Sequence, residues 1–423
     1  MPPGPRAQVG GRPGAGPALS RGRGGSTDAA TTVLTTDGRS APPAHGPCLI
    51  HKAIVRGMGR RHVTTAVLLI LGLAAAGCGG DDGGGGGAGN EDPRPAGGSF
   101  VDRLALLPGS LAEGDDGILV TVADVDAAAK AAGVSPPGDV TDQDAVTAYL
   151  TALQGVRTPG EPAPRVVTPL PERIGPAGLS RAGEFDAELG WSVLDVRWFV
   201  EYPTPPTTLT VLGGTFTEQR LTAAMGAPTD GRWRVGTGED LSANLNERTV
   251  ARPLGQPLTV ALDSGRLVVS PSAGQVDAAV GAGGGTLADV PELRALAQAM
   301  TTEGAYATML SARGRYQVAP DVSPLRPFTG VATGLVLDGQ PFLVLAYTHA
   351  DAATAEANAT ALRTHLAQGR SLATRQPWSD LLTAAEIRVD GTTLVARVAL
   401  GDTPPGMAWQ LLATRDSLVQ HGR

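Results

Sequence analysis

The residues able to do chemistry are few and widely spaced in this chain of 423 residues. Its two cysteines are Cys48 and Cys78, and both precede every aromatic residue of the chain. A thiol can serve as a nucleophile, a metal ligand or half of a disulfide. Because neither cysteine lies beyond residue 99, we expect no cysteine-based catalytic site, metal site or disulfide in residues 100–423.

Three histidines, His349, His365 and His421, lie beyond residue 99. A metal site would have to pair His349 with Asp351 and His365, but neither the HxxxH nor the HExxH spacing occurs. The acidic cluster of Glu113, Asp115 and Asp116 lacks the ligand spacing of a calcium loop. We therefore expect surface histidines, a solvated acidic patch, and neither a metal nor another cofactor.

Serine and glycine motifs are incomplete as well. The segment around Ser180 lacks the second glycine of a GxSxG nucleophile elbow, and Lys130, the only lysine after Lys52, is in no SxxK motif. The glycine-rich stretches Gly236–Gly238 and Gly281–Thr286 match neither phosphate-binding pattern, so we interpret them as turns. No catalytic residue is predicted.

Composition divides the chain near residue 99. Residues 1–99 contain 24 of the 58 glycines and none of the 16 aromatic residues, a composition too poor in large apolar side chains to form a core. Residues 100–423 carry a net charge of −11. An acidic body lacks the basic patch that nucleic-acid binding needs, and anionic lipid head groups would repel its surface.

The segment from Met58 to Cys78 has the three parts of an export signal. Arg60 and Arg61 precede an uncharged stretch from Val63 to Ala76, which at a helical rise is about 21 Å long and too short to span a bilayer. Its end, Leu73 to Cys78, resembles the lipobox of bacterial lipoproteins. That resemblance implies that the Cys78 sulfur carries a diacylglyceryl group and that Cys78 becomes the mature N-terminus. The alternative is an ordinary signal peptide followed by a chance cysteine.

These features divide the chain into six parts. Residues 1–57 are predicted to be a disordered extension, which is translated only if Met58 is not the true start of the protein. Residues 58–77 are predicted to be a lipoprotein signal peptide. Residues 78–99 form a glycine-rich tether with a reach of about 25 Å. A helical and loop part at 100–190 and two α+β repeats, at 191–300 and 301–423, complete the body.

Hydrophobic periodicity predicts an α+β fold for the body. Strand Ile118–Val122 precedes a helix between Asp124 and Gly133, and a capping box at Thr141–Asp144 opens a helix that ends near Gln154. A strand over residues 192–202 places Trp198 and Phe199 on opposite faces. This favours core packing over a ligand groove for the aromatic run of Trp191, Trp198, Phe199 and Tyr202.

The order strand, strand, helix, strand, strand, helix then occurs twice. Hairpin turns are predicted at Gly265, Gly339 and Gly391, the first and last of which are 126 residues apart, and the last helix is predicted over Pro404–Leu418. We expect a tandem duplication with mostly antiparallel sheets and helices on one face.

The sequence therefore favours a lipoprotein on the outer face of the cell membrane with a non-enzymatic binding or assembly role. It resembles actinobacterial-type lipoproteins of unknown function, a resemblance that implies no activity. Its expected partners are the membrane, through the diacylglyceryl anchor, and an envelope protein or small ligand, but no nucleic acid. The alternative is an exported hydrolase whose site the sequence does not reveal, and a purely structural role would leave an exposed apolar patch.

Overall fold

The computed structural model describes residues 98–114, 117–156, 163–204, 207–281, 283–314 and 323–422. The expected extension, signal peptide, lipidated Cys78 and nearly all of the tether therefore lie outside the described residues. Those described belong to one compact unit. Among the helices described, none combines the length and apolar character needed to cross a bilayer.

Helices and strands are interspersed along the body. The helices are α1 Phe100–Leu104, α2 Val125–Ala132, α3 Gln143–Gln154, α4 Gly175–Ser180, α5 Ala182–Leu189, α6 Glu218–Met225, α7 Ala273–Val280, α8 Pro291–Thr302, α9 Ala352–Gln368, α10 Trp378–Leu381 and α11 Met407–Ala413. The strands are β1 Ile118–Asp124, β2 Val196–Thr204, β3 Thr207–Gly214, β4 Arg232–Val235, β5 Leu258–Asp263, β6 Arg266–Ser270, β7 Ala307–Ala312, β8 Gly330–Asp338, β9 Gln340–Thr348, β10 Thr383–Asp390 and β11 Thr393–Ala399.

All eleven strands described form one sheet in the order β10-β11-β9-β8-β7-β1-β2-β3-β6-β5-β4, and every pair of neighbours is antiparallel. The α+β prediction is therefore confirmed, as are the predicted hairpins β5–β6, β8–β9 and β10–β11. The centre of the sheet is β1 against β7, with Val120 opposite Leu310. Strand β1 confirms the strand predicted at Ile118–Val122, although it belongs to the part of the body expected to consist mainly of helices and loops.

Apolar residues pack on both faces of this sheet, because side chains of a strand alternate. On one face, here called the broad face, Phe199 and Leu212 pack with α2–α6 and α9–α11. On the other, the narrow face, Val200 and Val211 pack with α1, α7 and α8. The expectation of helices on a single face is wrong, since strands with apolar residues at successive positions need a cover on each side.

Several element ends differ from the sequence-based expectation. The N-cap residue of α3 is Asp142 and not Thr141, the first residue of the predicted capping box. The Asp142 carboxylate accepts a hydrogen bond from Ala145 N at 3.0 Å, and Thr141 lies outside the helix. Residues 193–195 form a 3-10 helix, so the strand predicted from 192 begins at Val196. The last helix, expected over 404–418, is only Met407–Ala413, because Arg415 adopts a positive φ of 51°.

Candidate functional site

Cys78 is the one functional residue that the sequence singles out, and it lies outside the described residues, as do Cys48, Asp115 and Asp116. Within the described ranges, no three His, Cys, Asp or Glu residues are grouped as metal ligands would be. The remaining candidates are the histidines, one buried serine, one buried glutamate and the two glycine-rich loops.

His349 is buried and bonded at both ring nitrogens. Its Nδ1 lies 3.0 Å from the Thr392 carbonyl oxygen, which fixes the proton on Nδ1, and its Nε2 accepts from Asn358 Nδ2 at 2.9 Å. Burial lowers the pKa of His349 and so favours the neutral ring. The Asp351 carboxylate caps α9 through Thr354 N instead of joining His349. His349 therefore connects the end of β9 to α9.

His365 is also buried, and its Nε2 lies 2.9 Å from the Oγ of Ser417. The expectation of surface histidines is wrong for both His349 and His365. Ser417 Oγ accepts a second hydrogen bond from Trp378 Nε1 at 3.1 Å and donates to the Arg370 carbonyl oxygen at 3.0 Å. Ser417 has no exposed surface, so its hydroxyl is fully used inside the protein.

A Ser–His–Asp relay would need a carboxylate on the far side of the histidine ring. Asp416 is adjacent in sequence, but its oxygens accept from Ser371 Oγ at 2.6 Å, Leu372 N at 2.8 Å and Ser417 N at 2.6 Å. No hydrogen bond joins Asp416 to His365 among these described residues. The group instead fastens the C-terminal 3-10 helix Ser417–Val419 to the α9–α10 loop.

Glu201 is a buried carboxyl group on β2, within the strand predicted over residues 192–202. It accepts from Thr210 Oγ1 at 2.7 Å and from Glu172 N at 3.1 Å, on the broad face. Removal from water raises the pKa of Glu201 to about 7, although these hydrogen bonds oppose the shift. Arg173, whose own pKa burial lowers, is the nearby cation. A single acid amid the apolar residues of a strand is the signal that could have marked it.

The two glycine-rich loops already hold carboxylates of the same chain. Thr237 donates through Oγ1 to Glu247 at 2.7 Å, and Thr286 donates through its backbone N–H to Asp289 at 2.8 Å. The second loop lines a cleft of about 580 Å³ together with Glu113 and Arg313. These contacts agree with the interpretation as turns, since the donors of Thr237 and Thr286 are already hydrogen-bonded to carboxylates of the same chain.

The aromatic run belongs to the core. Trp191 is fully buried against Phe185 and Phe216, with ring centroids 5.0 and 6.1 Å away. Trp198 packs against the narrow-face cluster and Phe199 lies in the broad-face cluster, so their predicted opposite orientation is confirmed. The prediction of core packing is confirmed for Trp191 and Phe199, which have almost no exposed surface.

No protein-family model, curated protein or solved structure matches this chain. Its function is therefore inferred from its own residues and contacts.

Proposed function

We propose that this protein is an exported, lipid-anchored lipoprotein of the cell envelope with a non-enzymatic binding or assembly role. The observation that supports this proposal is the position of Cys78. It follows a segment that is first basic, then apolar and finally made of small residues, and a glycine-rich stretch comes directly after it. The lipid would attach to the Cys78 sulfur, and residues 79–98 would let the acidic body move freely outside the membrane.

The contacts of the body support the non-enzymatic part of the proposal. The polar side-chain atoms of His349, Ser417 and Asp416, and the Nε2 of His365, are hydrogen-bonded to partners inside the protein. Polar groups that are hydrogen-bonded inside the protein contribute to its stability and do not face a cleft in which a substrate could bind.

The test of the anchor is Cys78→Ser in the natural host, with a radiolabelled or alkyne-tagged fatty acid as the lipid source. We expect labelling of the parent protein and none of the variant, together with release or failed processing of the variant. A Gly80→Ser chain, changed two residues later, is the control and should label normally. Unchanged labelling of Cys78→Ser would refute the anchor.

A second candidate is an exported hydrolase, for which the observation is the 2.9 Å distance between Ser417 Oγ and His365 Nε2, the distance of a serine–histidine pair. A fluorophosphonate probe distinguishes the two. Labelling of the native chain that Ser417→Ala abolishes would support the hydrolase. We expect no labelling at Ser417, because its hydroxyl is buried and already donates to the Arg370 carbonyl.

We also propose that the body arose by tandem duplication. The sequence of pairings β1-β2-β3-β6-β5 on one side of the centre has the same connectivity as β7-β8-β9-β11-β10 on the other. Helices α6 and α9 follow the third strand of each half and both pack on the broad face. Strand β4 has no counterpart, and α7 and α11 lie on opposite faces.

A further inference from the structure

A shallow cleft opens at the β10 edge of the sheet, on the broad face. It lies between α9, α10 and the start of β10, has a volume of about 510 Å³ and falls in the size range of small-ligand sites. Its lining includes Arg363, Leu366, Ser379, Leu382, Thr383 and Val398. We call this feature the β10 cleft.

The floor of the β10 cleft is apolar. Leu366, Leu382 and Val398 are at most 8% exposed, so they form a surface continuous with the core. The remaining walls include Ala367, Ala384 and Ala385, whose small side chains leave the floor accessible. An apolar chain placed here would cover the exposed side chains of Ala367, Ala384 and Ala385 and the small exposed part of the floor, and would remove this apolar surface from water.

The polar groups of the cleft have unused hydrogen-bonding capacity. Arg363 donates one N–H to the Ile387 carbonyl oxygen at 3.1 Å and forms no ion pair with any described residue. The hydroxyls of Ser379 and Thr383 make no hydrogen bond within the described part of the chain. The lining contains this one cation and no acid, although the body as a whole is acidic.

The backbone at the cleft is strained. Ala384 has a φ of 44°, in the left-handed region that residues with a Cβ rarely adopt. It lies where the register of β10 against β11 shifts between Thr383 and Ala385. Bulges and strained residues of this kind are concentrated at functional sites, where they redirect side chains.

We infer that the β10 cleft binds a small anionic amphiphile, with an apolar chain on the leucine and valine floor and an acidic head group at Arg363. A guanidinium without an acidic partner is a ready donor to a carboxylate or phosphate. The same chemistry is found in a free fatty carboxylate and in the head group of an acidic lipid. An anionic amphiphile would be the ligand of the proposed binding role. The inference rests on that role and does not depend on the lipid anchor at Cys78.

The test is calorimetric titration of the full chain with decanoate, with decanol and acetate as probes of chain and charge alone. We expect Arg363→Gln to weaken decanoate binding at least tenfold and to leave decanol binding unchanged, because the lost contact is a charge-assisted hydrogen bond. Arg326→Gln is the matched control: Arg326 is also exposed, lies outside the cleft lining and forms no ion pair with any described residue. Ala367→Trp should fill the cleft and abolish binding of both long-chain probes, with the thermal melt checking that the variant folds.

Equal decanoate affinity in Arg363→Gln and the parent, or an equal loss in Arg326→Gln, would overturn the proposal. Two further arms separate the ligand sources. Sedimentation with phosphatidylglycerol vesicles but not phosphatidylcholine vesicles, lost in Arg363→Gln, would assign the head group of a membrane lipid. Binding of free decanoate without vesicle binding would assign a free carboxylate. A chain that binds decanoate but whose Cys78 is never lipidated would refute the anchor and leave the cleft assignment intact.

Discussion

The carboxylate of Asp124 joins two helices at once: one oxygen lies 2.7 Å from the Arg103 guanidinium in α1, and the other accepts from Ala127 N at the start of α2. Both side chains of this pair are largely buried: that of Arg103 is 2% exposed and that of Asp124 is 13% exposed. Arg103 also lies over the rings of Phe100 and Trp198, at 5.6 and 5.3 Å. Burial lowers the pKa of Arg103 and the neighbouring Asp124 opposes this shift.

Replacing either member of this pair should destabilise the protein strongly, because the other charge would remain buried. We expect Arg103→Ala to lower the free energy of unfolding by about 3–5 kcal/mol, the usual cost of breaking a buried pair. Asp124→Asn should cost less than Asp124→Ala, since asparagine still caps α2. Urea unfolding measures all three. Arg181→Ala, which breaks the exposed pair with Glu184, should change stability little.

Glu201 should make stability depend on pH between its unfolded and folded pKa values. The pKa of Glu201 in the folded protein is about 7, above its ordinary 4.5, so the folded state binds the proton more tightly than the unfolded state does. The free energy of unfolding should therefore fall as pH rises from about 4.5 to about 7, by on the order of 3 kcal/mol from this group.

Glu201→Gln isolates that contribution, because glutamine does not ionise. Unfolding curves at several pH values should show the variant gaining stability relative to the parent as pH rises to 7. The charged groups near Glu201 are Arg173, which favours ionisation, and Glu172, which opposes it. Glu356→Gln, at an exposed position on α9, serves as the control. Parallel pH profiles for Glu201→Gln and the parent would contradict the prediction.

Ser417→Ala should destabilise the C-terminal end of the body. It leaves Trp378 Nε1, His365 Nε2 and the Arg370 carbonyl oxygen without their common partner, at an expected cost of about 1–3 kcal/mol. Thermal and urea unfolding give the magnitude. Ser242→Ala, at an exposed serine, should stay within about 0.5 kcal/mol of the parent. A loss no larger than that of the control would show that the Ser417 contacts contribute little.

Gly214 and Gly274 should respond to alanine in opposite directions. A Cβ at Gly214 would lie 1.9 Å from the Asp195 carbonyl oxygen, where the β2–β3 register shifts, so Gly214→Ala must displace backbone at a cost of about 1–3 kcal/mol. Gly274 lies inside α7 with its nearest neighbour 4.0 Å away. There alanine should stabilise by about 0.5–1 kcal/mol. Equal effects at the two sites would refute the argument.

Local signals made much of this fold predictable. The aspartate cap and the left-handed Gly133 bound α2 as expected, and Gly265, Gly339 and Gly391 form the expected hairpin turns. These features depend on a few neighbouring residues. The long-range pairing of β1 with β7 depends on chain segments far apart in sequence, and no local pattern contains it.

Helix α8 and strand β7 are among the elements that were missed, and each was missed for a physical reason. Helix α8 begins at Pro291 without a side-chain cap, and β7 is a short run of small and apolar residues buried on both faces. A run of this type lacks the alternation that distinguishes a strand. The sequence shows His365 and Ser417 52 residues apart, and only the return of the chain past α10 brings them together.

The central pairing of β1 with β7 has a kinetic consequence. Residues such as Val120 and Leu310 are roughly 190 positions apart, so the two halves of the sheet join only after most of the body has been made. Distant pairing of this kind slows folding. If the chain is exported as proposed, the slow folding expected of this topology would keep it unfolded while it passes through a membrane channel.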